Sequence, residues 1–172
     1  MEPIKGGMLV GDESPIAGLL REANPNVSMA SWALRFAASL EGVYVTLSGM
    51  SSYDQLADNV KTFADFKPLT QAEQAVLEEA VRIFNAVPRI PCTECNYCVG
   101  ECPAKIQIPA FIDLYNEYNV HRAKASLAGR YGMMTREGGK ASECVACRKC
   151  EGACPQSIGI SDIIAQVSEV FD

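Results

Sequence analysis

Eight cysteines, spaced as two copies of one pattern, limit this chain more than any other feature. Cys92, Cys95, Cys98 and Cys102 follow the spacing C-x2-C-x2-C-x3-C-P, and residues 144–155 repeat that pattern. No cysteine lies outside these two runs. This is the bacterial spacing for [4Fe–4S] clusters, in which the fourth cysteine of a run binds the cluster of the other run. The pattern therefore predicts two such clusters in one chain.

The proline that follows the last cysteine of each run predicts how the ligands are shared. Proline has no N–H and restricts the residue before it to extended geometry. It would therefore turn Cys102 and Cys154 away from their own runs. We predict one ligand set of Cys92, Cys95, Cys98 and Cys154, and a second set of Cys144, Cys147, Cys150 and Cys102. Because these sets join distant segments, cluster assembly should be coupled to folding.

Two other chemistries use cysteines at short spacing. Structural zinc favours two C-x2-C pairs, or mixtures of cysteine and histidine, whereas each run here has four cysteines and no histidine nearby. A disulfide framework suits a secreted chain, but residues 1–7 lack the basic and apolar stretches of a signal peptide. We therefore expect reduced thiols that bind clusters, in the cytoplasm.

Charge and hydropathy exclude two kinds of partner. The net charge of −6 argues against binding to nucleic acid. No run approaches the ~18 apolar residues that indicate a membrane span. Hydrophobic residues make up 48% of the chain, which is enough for a packed core. The composition therefore predicts a globular protein.

Arg148, Lys149 and His121 can each be interpreted as functional residues or as ordinary structural ones. Arg148 and Lys149 lie within the second run and could raise the potential of the cluster bound there. Solvated charges on a loop are the simpler interpretation. His121 is the only histidine, and its polar neighbours Asn119 and Arg122 lead us to expect it at the surface.

Helical patterns dominate the rest of the chain. Ser52 with Gln55 and Thr70 with Glu73 predict two helices that begin with capping boxes. Val43–Leu47 is β-branched and aromatic, which predicts a strand buried on both faces. The sequence thus predicts a helical first half with one strand.

Helices are also predicted around the cysteine runs. Pro109 suits the start of a helix, and further helices are predicted over 123–131 and 161–171. Gly138 and Gly139 break the helical pattern ahead of the second run. Helices between and after the runs favour an all-helical two-cluster module over a compact ferredoxin built from β-hairpins.

From Ile90 onward the chain resembles an α-helical ferredoxin domain. Residues 90–98 are similar to the cluster-bearing tail of a bacterial and archaeal branch of the aldo/keto reductase family. Residues 1–7 resemble the end of the seventh barrel strand with its loop, residues 31–36 the seventh helix, and residues 45–51 the eighth strand, followed by its helix.

This resemblance implies a mainly α chain with two domains. Residues 1–88 would be a partial, incomplete α/β-barrel end of about two βα units. Residues 89–172 would be the α-helical ferredoxin domain with two [4Fe–4S] clusters. A complete barrel needs about 250 residues, and here only about 89 precede the clusters.

The resemblance also implies a nucleotide site. In the family, the loops after strands seven and eight hold NADP. The positions that match those loops are Gly6, Gly7, Gly49, Ser51, Gln55 and Asn59. Since most of the barrel is missing, NAD(P) is expected only in a complete barrel. The family's catalytic Asp, Tyr, Lys and His lie on earlier strands, so no catalytic residue is carried over and the chain's own catalysis stays open.

Three functions remain open from the sequence. The first is electron transfer through two [4Fe–4S] clusters, as the C-terminal module of an aldo/keto-reductase-like oxidoreductase. The second is a stand-alone ferredoxin-like carrier or partner subunit without catalysis of its own, and the third is an oxygen-sensing iron–sulfur regulator. A lone strand would leave apolar surface and an unpaired edge. We therefore expect a redox partner protein, the missing barrel portion or a homo-oligomeric copy to bind.

Overall fold

Helices make up nearly all the regular structure of this protein. The computed structural model describes residues 2–172. Its helices are α1 (Ala17–Ala23), α2 (Met29–Ala38), α3 (Tyr53–Ala64), α4 (Gln71–Ala86), α5 (Ile108–His121), α6 (Lys124–Met134), α7 (Lys149–Gly152) and α8 (Ile160–Phe171). Short 3-10 helices lie at Lys5–Gly7 and Ala141–Glu143. Within the described residues no helix has the length and apolar character needed to cross a membrane. The prediction of a mainly α fold is confirmed.

The chain divides into two compact units. The first extends to Val87 and includes His121–Ala123. The second comprises Pro88–Val120 and Lys124–Asp172. The sequence predicts a boundary between residues 88 and 89 that would separate domains of different function. That division by function stays a prediction.

The first unit packs its helices around a single tryptophan. Trp32 is 1% exposed and lies in one apolar cluster with Ile16, Leu20, Leu69 and Ala80. Helix α1 contacts α2 and α4, and α2 also contacts α3. Because a buried tryptophan removes a large apolar area from water, this cluster determines how α1, α2 and α4 meet.

The helix caps agree with the sequence pattern, with one difference. Thr70 and Glu73 form the complete predicted capping box at the start of α4. At the start of α3 the Ser52 hydroxyl accepts a hydrogen bond from Gln55 N at 3.3 Å. The Gln55 side chain, however, accepts from Ser51 N at 2.8 Å. This second capping interaction is therefore displaced by one residue from the predicted box.

The strand predicted at Val43–Leu47 is absent, and that prediction was wrong. The segment has no regular structure, and the side chains of Tyr44 and Val45 are 96% and 74% exposed. A strand needs a hydrogen-bonded neighbour, but the described part of the chain contains only one isolated β-bridge, which lies in the second unit. The βα units expected in residues 1–88 are therefore represented by helices without a barrel sheet.

The second unit contains an aromatic cluster that joins α5, α6 and α8. The ring of Tyr131 lies 5.2 Å from that of Phe111 and 5.4 Å from that of Phe171, measured between centroids. Its hydroxyl accepts from Ala141 N at 3.0 Å and donates to Asp172 Oδ1 at 2.9 Å. Burial raises the pKa of Tyr131 to about 12, so the hydroxyl stays protonated and can donate. These bonds position the chain just ahead of the second cysteine run.

His121 is buried, so the expectation of a surface position was wrong. Its side chain belongs to the first unit, is 6% exposed, and meets the ring of Phe84 edge-on at 5.0 Å. Residues seven apart lie on the same face of a helix, and Leu114, seven residues earlier, is fully buried. The helical period was thus a better guide here than the polar neighbours in sequence.

An ion pair connects α2 to the start of α4. Arg35 donates from Nη1 to Glu73 Oε1 at 2.7 Å and from Nη2 to Glu73 Oε2 at 2.9 Å. The two side chains are 12% and 18% exposed. Hydrogen bonding from Arg35 lowers the pKa of Glu73 to about 2. Paired hydrogen bonds between opposite charges are among the stronger polar contacts in proteins.

We expect Glu73→Gln to destabilise the first unit by roughly 1–3 kcal/mol at pH 7, because it removes the charge that Arg35 stabilises. The folded-state pKa lies below the ordinary 4.5. The stabilisation is therefore complete well above pH 4.5 and is lost as the pH falls toward 2. Urea unfolding followed by fluorescence of Trp32, the only tryptophan, should show a smaller difference from wild type at pH 3 than at pH 7.

The matched control is Glu78→Gln, on an exposed position of the same helix. It should change stability little at either pH. An equal loss of stability for Glu73→Gln at pH 7 and pH 3 would show that the carboxylate charge is not the source of the effect.

Candidate metal centres

The two cysteine runs follow nearly the same backbone path. The second run begins at Cys144, 52 positions after the first begins at Cys92. Six non-glycine residues have positive φ between 51° and 65°, in matched pairs: Glu94 and Ala146, Asn96 and Arg148, Lys105 and Ser157. Such left-handed residues are uncommon outside glycine. Their recurrence at equivalent positions means that each run is bent into the same loop, in which closely spaced side chains can turn toward a common centre.

The turn after the fourth cysteine is also repeated. Lys105 N donates to Cys102 O, and Ser157 N donates to Cys154 O, both at 3.1 Å. Each turn leads directly into a helix, α5 or α8. The fourth cysteine of each run is thus held by a turn between its own run and the following helix.

The eight thiols line two cavities, four to each. The first cavity contains about 310 Å³ of atom-free space, partly open to solvent, and its cysteines are Cys92, Cys95, Cys98 and Cys154. The second contains about 350 Å³, and its cysteines are Cys102, Cys144, Cys147 and Cys150. Each cavity therefore combines three cysteines of one run with the fourth cysteine of the other.

The other walls of both cavities are largely apolar. The first cavity includes Ile112, Ile158 and Ile160, and the second includes Ile106, Ile108 and Ile164. In residues 2–172 no group of three or more His, Cys, Asp or Glu side chains is arranged to hold a single metal ion. Four soft thiols around an apolar cavity are the donor set that iron–sulfur clusters take, so the residues present fit a cubane cluster in each cavity.

Burial varies among the thiols of each cavity. Cys98 and Cys150 are 7% and 8% exposed, whereas Cys95 and Cys147 are exposed. Burial raises the pKa of Cys98 to about 11 and also raises that of Cys150. A cysteine must lose its proton to bind a metal. Cluster binding at the buried thiols would therefore release protons. The exposed thiols leave one side of each cavity near solvent.

Asn116 of α5 holds the chain just ahead of the first run. Its Oδ1 accepts from Ile90 N at 2.8 Å, and its Nδ2 donates to Ile90 O at 3.0 Å. Sequence reasoning missed this residue. The available signal was an asparagine, a weak helix former, in the middle of a helical pattern, where it often marks a specific side-chain bond.

Glu151 connects the second run to α8 and was also missed. Its Oε1 accepts from Ser161 N at 2.9 Å, and this hydrogen bond lowers the pKa of Glu151. Helix α8 contributes Ile160 to the first cavity and Ile164 to the second. The bond from Glu151 thus positions a helix that borders both cavities.

Gly138 and Gly139 allow the chain to pass close to the turn after Cys102. A Cβ atom on Gly139 would lie 2.1 Å from Ala104 O, and one on Gly138 would lie 2.9 Å from Lys105 O. Gly139 N also donates to Lys105 O at 3.2 Å. The sequence indicated only a helix break here, but the structure shows a close backbone contact that side chains would prevent.

Six residues were assigned to a nucleotide site because of the family resemblance, and all six line one cavity in the first unit. It contains about 1350 Å³ of atom-free space, partly open to solvent, and its lining includes Gly6, Gly7, Gly49, Ser51, Gln55 and Asn59. The structure thus brings together positions from two separate segments of the sequence.

The polar lining of this third cavity is acidic. Glu2 and Asp58 are its charged residues, and among the described residues that line it there is no lysine, arginine or histidine. Asp58 accepts from Ser28 Oγ at 2.5 Å, and Asn59 Nδ2 donates to Ser48 Oγ at 2.9 Å. Phosphate groups are usually held by cations or clustered N–H donors, and the described lining supplies no cation.

Two family models match separate parts of the chain. Residues 91–158 match a 4Fe-4S dicluster domain, and residues 19–82 match the aldo/keto reductase family. Comparison with curated proteins and with solved structures gave no significant match. The first match spans all eight cysteines. These matches confirm the resemblance to an aldo/keto-reductase-like iron–sulfur protein, and together they indicate iron–sulfur electron transfer.

We expect Gly139→Ala to lower the iron content after anaerobic reconstitution, because the new methyl group would overlap Ala104 O and displace the turn that holds Cys102. Iron per chain and the thermal unfolding midpoint of the reconstituted protein are the measurements. The matched control is Gly132→Ala in α6, where a Cβ meets nothing within 4 Å. It should retain its iron and gain roughly 0.5–1 kcal/mol of helix stability. Equal iron content in the two variants would contradict this role for Gly139.

Proposed function

We propose that this chain, an aldo/keto-reductase-like iron–sulfur protein, transfers electrons through two [4Fe–4S] clusters as the C-terminal module of an oxidoreductase. One ligand set is Cys92, Cys95, Cys98 and Cys154. The other is Cys144, Cys147, Cys150 and Cys102. The observation that carries the proposal is the grouping of the eight thiols, four and four, around two apolar cavities.

The chain's own residues would bind the clusters and control their surroundings. The thiolates hold the irons, and the isoleucines around each cavity exclude water from the inner side. When bound, each cluster accepts and releases one electron at a potential set by burial, charge and hydrogen bonds to sulfur. Cys95 and Cys147 are exposed, so each cluster would approach the surface where a redox partner protein can exchange electrons.

The exposed apolar surface of the first unit supports contact with further protein structure. Of the fifteen large apolar side chains that are exposed in residues 2–172, eleven lie between Phe36 and Phe63. Such a concentration of exposed apolar surface is typical of an interaction site. It favours the missing barrel portion as the partner of this unit. The same observation supports the second candidate function, a partner subunit that contributes clusters without catalysis of its own.

The compartment proposed is the cytoplasm. All eight cysteines are free of disulfides, and thiol ligands persist where the cell keeps cysteines reduced.

The first test is anaerobic purification with iron and sulfide assays and EPR of the reduced protein. We expect about eight irons per chain and the signals of two interacting reduced clusters, because each cubane holds four irons. An iron-free protein, or one that binds zinc in place of iron, would overturn the proposal.

Paired substitutions test the crosswise ligand sets. Cys102→Ala with Cys147→Ala removes two ligands from the second cavity only, so about four irons and one intact cluster signal should remain. Cys95→Ala with Cys102→Ala removes two ligands from one run but one from each cavity, so both signals should change. If each run bound its own cluster, the two double variants would give the opposite results, and each therefore serves as the control for the other.

We also expect this chain alone to bind NADPH weakly, because the third cavity has acidic residues and no cation in its described lining. Isothermal titration calorimetry should show no saturable binding in the low-micromolar range. The control is an intact aldo/keto reductase barrel titrated under the same conditions. Micromolar binding by this chain would show that the partial site is sufficient.

A further inference from the structure

The repeat within the second unit allows the two cavities to be compared position by position. Residues 92–108 and 144–160 share the backbone path described above. Their matched isoleucines are buried: Ile106 and Ile158 are 1% and 7% exposed, and Ile108 and Ile160 are 2% and 1% exposed. Because backbone and apolar walls are so similar, differences in charge and hydrogen bonding should decide any difference between the clusters.

Charge is the first difference between the two segments. Residues 92–108 carry Glu94, Glu101 and Lys105, and residues 144–160 carry Arg148, Lys149 and Glu151. Because Glu101 lines the second cavity, the charge of each segment is not the charge around each cavity. At one matched position the difference reaches the cavities themselves. Asn96 lines the first cavity, whereas Arg148 lines the second.

Carboxylates lie near Arg148, and one of them is Glu151, whose pKa the charge of Arg148 helps to lower. Glu101 is exposed and also lines the second cavity, and Asp162 Oδ1 lies 3.6 Å from Arg148 Nη2. Both partners of that pair are well exposed, with 63% and 72% of their side chains accessible, so the attraction between them is weak. No basic side chain lines the first cavity among the described residues.

A hydrogen bond to sulfur is the second difference. Ile106 N donates to Cys102 Sγ at 3.4 Å, and Cys102 belongs to the second cavity. The matched Ile158 makes no such bond to Cys154 of the first cavity in the part of the chain that the structure describes. An N–H donor reduces the negative charge on a ligand sulfur, which favours the reduced form of a cluster. The hydrogen bond and the arginine therefore act in the same direction.

We propose that the two clusters are inequivalent, with the cluster of the second cavity at the higher reduction potential. This inference rests on the proposed function, since it needs both clusters to be bound. One electron would then pass from the reduced cluster of the first cavity to the oxidised cluster of the second, with no bond made or broken and no proton moved. Electrons would enter at the first cavity and leave at the second, on the side of Arg148 and Lys149.

Exchanging the side chains at the matched positions tests the proposal. Arg148→Asn and Asn96→Arg are made separately in the full chain, and the apparent midpoints are measured by EPR-monitored redox titration. Both positions have positive φ, which asparagine tolerates well, so Arg148→Asn should preserve the turn. We expect Arg148→Asn to lower the higher midpoint and Asn96→Arg to raise the lower one. Each should change the electron-exchange equilibrium between the clusters by roughly threefold to tenfold.

The control is Arg136→Asn, which removes the same charge from an exposed position outside both cavities and should move neither midpoint. Iron assays accompany every titration. If about eight irons are bound and Arg148→Asn moves the lower midpoint, or moves none, the proposed order of the two potentials is overturned while the proposed function stands. If iron is absent from the unsubstituted chain, the proposed function itself fails.

Discussion

The sharing of thiols between the two cysteine runs is the constraint on which the second unit depends. Each cavity is lined by the last cysteine of the other run, so the intervening chain must leave the first run and return to it. Helices α5 and α6 make that return, and the Gly139 contact with the turn after Cys102 brings the ends together. Because metal binding to such sets is coupled to folding, the clusters would stabilise the contacts that assemble their own ligands.

Cysteine spacing predicts two ligand sets because ligand geometry is local within each run and proline directs the fourth residue elsewhere. The structure lines two cavities with the same two groups of four thiols. Val43–Leu47 was predicted wrongly for the opposite reason, since a strand depends on neighbours that the local sequence does not contain. The roles of Asn116 and Gly139 could not be predicted from the sequence either. Each depends on a backbone segment distant in the chain, and only the folded structure shows how near that segment lies.

The first unit contains helices of the kind that surround a barrel sheet. The described part of this unit has no sheet for them to cover. Its tryptophan cluster packs α1, α2 and α4, which explains how these helices can be ordered by themselves. The residues from Phe36 to Phe63 lack an equivalent apolar partner and remain largely exposed. The energetic consequence is that this region has surface left to bury, so a second polypeptide could gain affinity from it without reorganising the tryptophan cluster.

A repeated loop that binds two similar clusters would, with identical side chains, provide no preferred direction for an electron. The positions that differ here are instructive, because Asn96 and Arg148 are both exposed and both lie in left-handed turns. Such turns demand a particular backbone conformation but place little packing restriction on the side chain. Charge can therefore vary at these positions while the buried isoleucines and the thiols stay in place. In this architecture the properties of two bound clusters could diverge without altering the fold that would hold them.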